Sequence, residues 1–144
     1  MKYNLSAIQD TLFDITNAIT SVINVDVTIV DSNLNRITAT GIYLSKLGKK
    51  LSNKCVFSKS LNSGESFIIE NPRENIRCID CDNATQCKEY AQVCCPIIVN
   101  NKAVGVIGLV AFNEVQKKRI VGNEINLLDF LKKMSDLIAS KLLE

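Results

Sequence analysis

Histidine is absent from the 144-residue chain. That excludes a Ser-His-Asp triad, a Cys-His pair and every imidazole metal ligand together. No apolar run reaches the roughly 18 residues that a membrane-spanning helix needs. The opening residues, MKYNLSAIQD, lack the apolar stretch of a secretory signal. A charge excess is missing too: 17 Lys and Arg stand against 15 Asp and Glu, a formal balance of +2. Nucleic-acid binders usually carry a basic surplus or stripe, so no direct nucleic-acid contact is expected of this segment, and no membrane contact. The expected compartment is the cytoplasm. What is present is a globular mixture, 47% hydrophobic and 22% charged, at a length that suits one domain.

Leu5, Ile8, Leu12, Ile15, Ile19 and Val22 recur at alternating spacings of 3 and 4, which predicts a helix over 4–24 with a narrow apolar seam. Such a seam either lies on its own sheet or pairs with a second copy; a homodimer is the expectation. Residues 26–40 read as two strands around the turn-forming run Asp31–Asn35. Residues 54–62 read as a short helix, carrying Cys55 as a small buried apolar residue and stopping near Gly64. SFIIE (66–70) is a strand, and a short helix is expected around 84–91. Residues 94–99 and 103–112 are two strands joined by Asn100-Asn101-Lys102, and Gly105 and Gly108 in the second point to close backbone approach or a bulge. Asn113 and Asn123 are candidate caps for two closing helices, the last (123–143) with a second seam of Leu127, Leu131, Met134 and Ile138. Hairpin strands between terminal helices predict an α+β domain with an antiparallel sheet. The last helix meets no stop signal, so 1–144 is expected to be one domain of a longer protein.

Six cysteines are present, and five of them fall in Cys78-x2-Cys81-x5-Cys87-x6-Cys94-Cys95, a Cys-rich loop at about 74–95. In a reducing compartment such clustering points to a metal or redox centre rather than to disulfides. A C-x2-C turn aims two thiolates at one ion, and two further sulfurs complete tetrahedral S₄ coordination, which suits zinc or an iron–sulfur cluster. Zinc ribbons usually repeat the C-x2-C hairpin; the unequal second half here favours a cluster, most simply 4Fe–4S, with zinc as the alternative. Cys95-Pro96 resembles the Cys-Pro that closes bacterial ferredoxin motifs, so Cys78, Cys81, Cys87 and Cys95 are the expected ligands. Consecutive strand residues face opposite ways, so only one of Cys94 and Cys95 can serve. No nucleophile–base pair is visible, and an enzyme is not expected.

VDVTIVDSNLNRITATG, KSLNSGESFIIENP and CCPIIVNNKAVGVIGLVAFNE resemble the PAS/GAF-type sensory domain at the N-terminus of bacterial sigma-54-dependent transcriptional activators. They are most similar to a set common in anaerobic Firmicutes that carries an inserted cysteine motif, and the likeness covers nearly the whole chain. The resemblance implies a five- or six-stranded antiparallel sheet and flanking helices (4–24 and 123–143) that pack as a dimer bundle. It also implies a ligand or cofactor that controls an ATPase output domain and a DNA-binding domain elsewhere in the full-length protein. The motif maps onto Cys78, Cys81, Cys87 and the Cys94/Cys95 pair. Redox or small-gas sensing through the cluster is the expected function, and a small-metabolite-binding module with structural zinc is the alternative.

Overall fold

The computed structural model describes residues 3–72, 74–75 and 87–144. A 3₁₀ turn, Leu5–Ile8, leads into α1 (Gln9–Ile23), which ends at Asn24 in the left-handed conformation. Then follow β1 (Asp26–Asp31), β2 (Arg36–Ala39), a second 3₁₀ turn (Gly41–Lys46), α2 (Val56–Ser63) and β3 (Phe67–Ile69). The chain closes with β4 (Ala91–Val99), β5 (Lys102–Ala111), α3 (Glu114–Ile120) and α4 (Glu124–Leu142). Five strands form one antiparallel sheet in the order β2-β1-β5-β4-β3, an α+β architecture as expected.

Local chemistry accounts for the hairpins. Asp31 Oδ1 accepts from the backbone N–H of Asn33 and of Asn35, both at 2.9 Å, and closes the β1–β2 turn. Asn100 and Asn101 both take positive φ, 53° and 66°, the two-residue turn whose twist matches the strands it joins. Asn113 caps α3 by accepting from the N–H of Gln116 at 2.8 Å, as its position suggested. Asn123 makes no such cap for α4; its side chain donates instead to the Arg119 carbonyl. The helix expected around 84–91 is not seen in its described part: Cys87–Tyr90 is irregular, and Ala91 already pairs with Ala111 in the ladder. Tertiary pairing overrides local helix propensity there.

The sheet separates two cores. Val27, Ile29, Val93, Cys95, Ile97, Ile107 and Leu109 pack with Leu5, Leu12 and Ile19 from the N-terminal segment and with Leu131 and Ile138 of α4. On the other face Val30, Cys94, Val106 and Ile69 pack with Val56 and Phe57 of α2. Each such aliphatic side chain contributes about 1.5–3 kcal/mol on burial. The apolar seam of the first helix is therefore used largely by its own sheet, and Val22 alone of the six stays outside, 79% exposed. Gly108 has the role expected of a close approach. A Cβ there would strike Phe57, with ring Cε1 at 3.0 Å, so the missing side chain is what lets the α2 ring lie on β5. Gly105 likewise admits Leu5 and the Val30 carbonyl.

Candidate ligand-binding site

Between α2, the second 3₁₀ turn and the β2-β1-β5-β4 surface lies a cavity of about 340 Å³. That is at the small end of metabolite sites. Its polar wall is a chain of contacts drawn from five segments. Arg36 of β2 donates through Nη1 to Thr28 Oγ1 of β1 at 2.6 Å, and Thr28 donates onward to the Thr38 carbonyl at 3.0 Å. The Arg36 guanidinium carbon lies 4.1 Å from the centre of the Tyr43 ring, a cation–π stack. Tyr43 also meets Phe112 edge-on, with centroids 4.9 Å apart. The Tyr43 hydroxyl donates to Glu89 Oε2, and Gln92 Nε2 donates to Glu89 Oε1 at 2.7 Å. Lys46, Lys49 and Lys50 complete the wall with positive charge.

Arg36 is only 7% exposed and forms no ion pair among the described residues. Among the described residues its Nε has no hydrogen-bond partner, and neither has Oε1 of Gln92, which is also 7% exposed. Buried polar atoms are nearly always satisfied, so these two atoms, on residues that line the cavity, are exceptions. Burial lowers the pKa of Arg36, against the opposing pull of Tyr43 and Glu89. Burial raises that of Glu89, with the bonds from Tyr43 and Gln92 opposing it, and burial followed by Glu89 raises that of Tyr43. Arg36, Lys46, Lys49, Lys50 and Lys88 outnumber Glu89 on the cavity wall, so the local charge is positive and favours an anion.

The cysteines divide between the faces. Cys87 and Cys55 are half-buried on the cavity wall, so Cys55 borders the site instead of sitting within the core as its sequence context suggested. Cys94 lies against Phe57 on that same side of the sheet, and burial pushes its thiol up to about 12. Cys95 is turned to the opposite core, where the Ser135 hydroxyl of α4 donates to its sulfur at 3.6 Å. The alternation expected of the Cys94/Cys95 pair is thus present, and Cys87 and Cys94 share a side while Cys95 does not. Cys78 and Cys81 fall outside the described residues. Among the described residues no three Cys, Asp or Glu side chains are grouped to hold a metal.

Arg36, Thr28, Tyr43, Glu89 and Gln92 were not singled out by sequence. On β2 the alternation of Arg36 and Thr38 with Ile37 and Ala39 looks like a solvated face; both faces are in fact covered, and all four residues are buried. A buried-looking strand with an arginine at one end is the signal that was available.

The fold is that of GAF domains. The GAF domain of Aquifex aeolicus NlH2 superposes with a TM-score of 0.69 at 18% identity, covering 94% of this chain and 86% of that one. A type II free methionine-R-sulfoxide reductase from Thermoplasma acidophilum superposes at 0.71 and 12% identity, covering 96% and 94%. The fold therefore occurs both in a GAF domain and in an enzyme. No family model matches the sequence. The chain is homologous to a segment of UacR, a sigma-54-dependent transcriptional regulator of Escherichia coli (strain K12) named for uric acid, with 33% identity over 141 residues. That match covers 97% of this chain and 24% of UacR, so the chain spans about a quarter of its relative. No described helix is long and apolar enough to cross a membrane.

Proposed function

We propose that this chain is the signal-sensing domain of a sigma-54-dependent regulator and that its signal is a small anion bound in the Arg36 cavity. The observation that carries the reading is a buried guanidinium, unpaired by any described carboxylate, on the wall of a metabolite-sized cavity. An isolated buried charge costs several kcal/mol, and a ligand anion would offset that cost. The name of the relative supports uric acid, or a compound of its class, as the first candidate. Binding would tie β2, the second 3₁₀ turn and β4 together. Since Cys95 of β4 touches Ser135, the movement has a path to α4 and from there to ATPase and DNA-binding domains of the full-length protein. A homodimer through helices 4–24 and 123–143 is part of the proposal; Val22 of α1 and Ile125 and Leu137 of α4 are exposed apolar positions for it.

Calorimetric titration of the protein with uric acid tests the reading. Saturable binding that Arg36→Met removes is expected; absence of binding, or binding that the substitution leaves unchanged, overturns it.

A second reading is a centre held by the cysteine motif, favoured by its spacing and by Cys87 standing on the cavity wall. Cys78, Cys81, Cys87 and one β4 thiolate would hold an iron–sulfur cluster, or zinc in the alternative. Cys94, which shares the side of Cys87, suits the fourth place better than Cys95. A cluster would supply redox or small-gas sensitivity, zinc only a fixed wall. Iron and acid-labile sulfide in protein prepared without oxygen support the cluster; a colourless protein with stoichiometric zinc excludes it.

A further inference from the structure

Of the described elements that wall the cavity, the second 3₁₀ turn, Gly41–Lys46, is the one with no buried residue. Ile42 and Leu44 are exposed apolar side chains, and only Tyr43 and Leu47 of 41–47 are as much as half-buried. Backbone bonds pin the segment beyond its two ends: the Thr40 N–H donates to the Val27 carbonyl at 3.0 Å, and the Gly48 N–H to the Arg36 carbonyl at 2.9 Å. Gly41 and Gly48, beside those pins, take positive φ of 66° and 76°. Between the pins Tyr43 carries the hold on the neighbouring elements, with its hydroxyl on Glu89, its ring under the Arg36 guanidinium and its edge contact with Phe112. Short 3₁₀ turns have poorer hydrogen-bond geometry than α-helices, and a segment with few buried apolar contacts opens at a lower free energy than the whole domain unfolds.

We infer that 41–47 is a lid on the cavity, hinged at Gly41 and Gly48 and latched by Tyr43, and that an anion in the cavity holds it shut. Arg36 belongs to the sheet and Lys46 to the lid, and both border the cavity. An anion that meets both cations does so with the lid closed. It therefore binds the closed state better, and a ligand shifts such an equilibrium by that difference in affinity. The inference rests on the anion-binding reading above and adds to it the part whose position distinguishes an occupied cavity from an empty one.

Hydrogen exchange read by mass spectrometry tests it on wild type, Tyr43→Phe and Gly48→Ala, each with and without uric acid. In ligand-free wild type, 41–47 is expected to exchange at least about tenfold faster than β1 and β5. Tyr43→Phe keeps the ring and removes the latching hydroxyl. A Cβ at Gly48 meets nothing within 4 Å, so Gly48→Ala strains the hinge backbone alone. Each substitution is expected to speed exchange of 41–47 at least about threefold and to leave β1 and β5 unchanged. Should Tyr43→Phe loosen the sheet as well, Gly48→Ala carries the comparison. Uric acid is expected to slow exchange of 41–47 in wild type. Exchange of 41–47 in step with the sheet, or unmoved by both substitutions, overturns the inference, and so does uric acid that binds in calorimetry yet leaves 41–47 unprotected. If uric acid does not bind, the anion reading falls, and the ligand-free comparison still decides whether 41–47 is a latched lid.

Discussion

The guanidinium carbon of Arg36 lies over the Tyr43 ring, 4.1 Å from its centre, and no described carboxylate pairs with the group. The aromatic face offsets part of the desolvation of the cation without neutralising it. The charge stays available for a ligand, and the stack fixes where it is presented.

Replacing Arg36 by Met removes that charge while keeping most of the apolar volume. We expect the thermal stability of the ligand-free protein to change little or to rise, since removing an unpaired buried charge is often favourable. The stabilisation by uric acid, RT ln(1 + [L]/Kd), is expected to vanish. Thermal denaturation with and without uric acid measures both effects.

Glu89 gives a pH signature. Its pKa is raised in the folded chain from an ordinary value of 4.5, chiefly by burial. The folded state therefore holds the proton more tightly than the unfolded state, so this contribution is complete below pH 4.5 and is lost as pH rises through the folded value. Urea unfolding of wild type and Glu89→Gln from about pH 4 upward is expected to show the wild type losing ground to the variant.

Gly108→Ala should be costly although the change adds one methyl group. The new Cβ meets the Phe57 ring, and overpacking of this kind costs about 1–3 kcal/mol. Pairing it with Phe57→Leu should recover part of the loss, which denaturant titration of the double variant would register.

Thiol chemistry separates the cysteines. Cys94 and Cys95 are buried, and burial keeps Cys94 protonated near neutrality, with its thiol up at about 12. The thiolate is the reacting species, so mass mapping after a short iodoacetamide pulse should find both unlabelled in folded protein and labelled after unfolding. Early labelling of Cys94 would contradict the packing against Phe57.

Element types and their joins could be read from the chain because they depend on short-range chemistry. Asp31–Asn35 and Asn100-Asn101 form the expected turns, Asn113 caps its helix, and Gly108 marks the approach of α2. The fold class followed from their order. The seam of the first helix was visible, but not the partner that fills it, because 3- and 4-residue spacing records one apolar face and says nothing of what covers it. Cys78-x2-Cys81, the loudest motif, is read by spacing alone. Which β4 sulfur shares a side of the sheet with Cys87 depends on the phase of a strand whose start the sequence placed three residues late, at Cys94 instead of Ala91.

The sequence by itself determined the strands, the turns and the two helical seams, since each is written in neighbours a few positions apart. Only the tertiary structure decided the ligand wall. Thr28, Arg36, Tyr43, Glu89 and Gln92 are spread over 64 intervals of chain, from 28 to 92, and become neighbours through the strand order β2-β1-β5-β4. Hydrogen-bond direction and desolvation act through space, so none of them leaves a periodic trace in the chain.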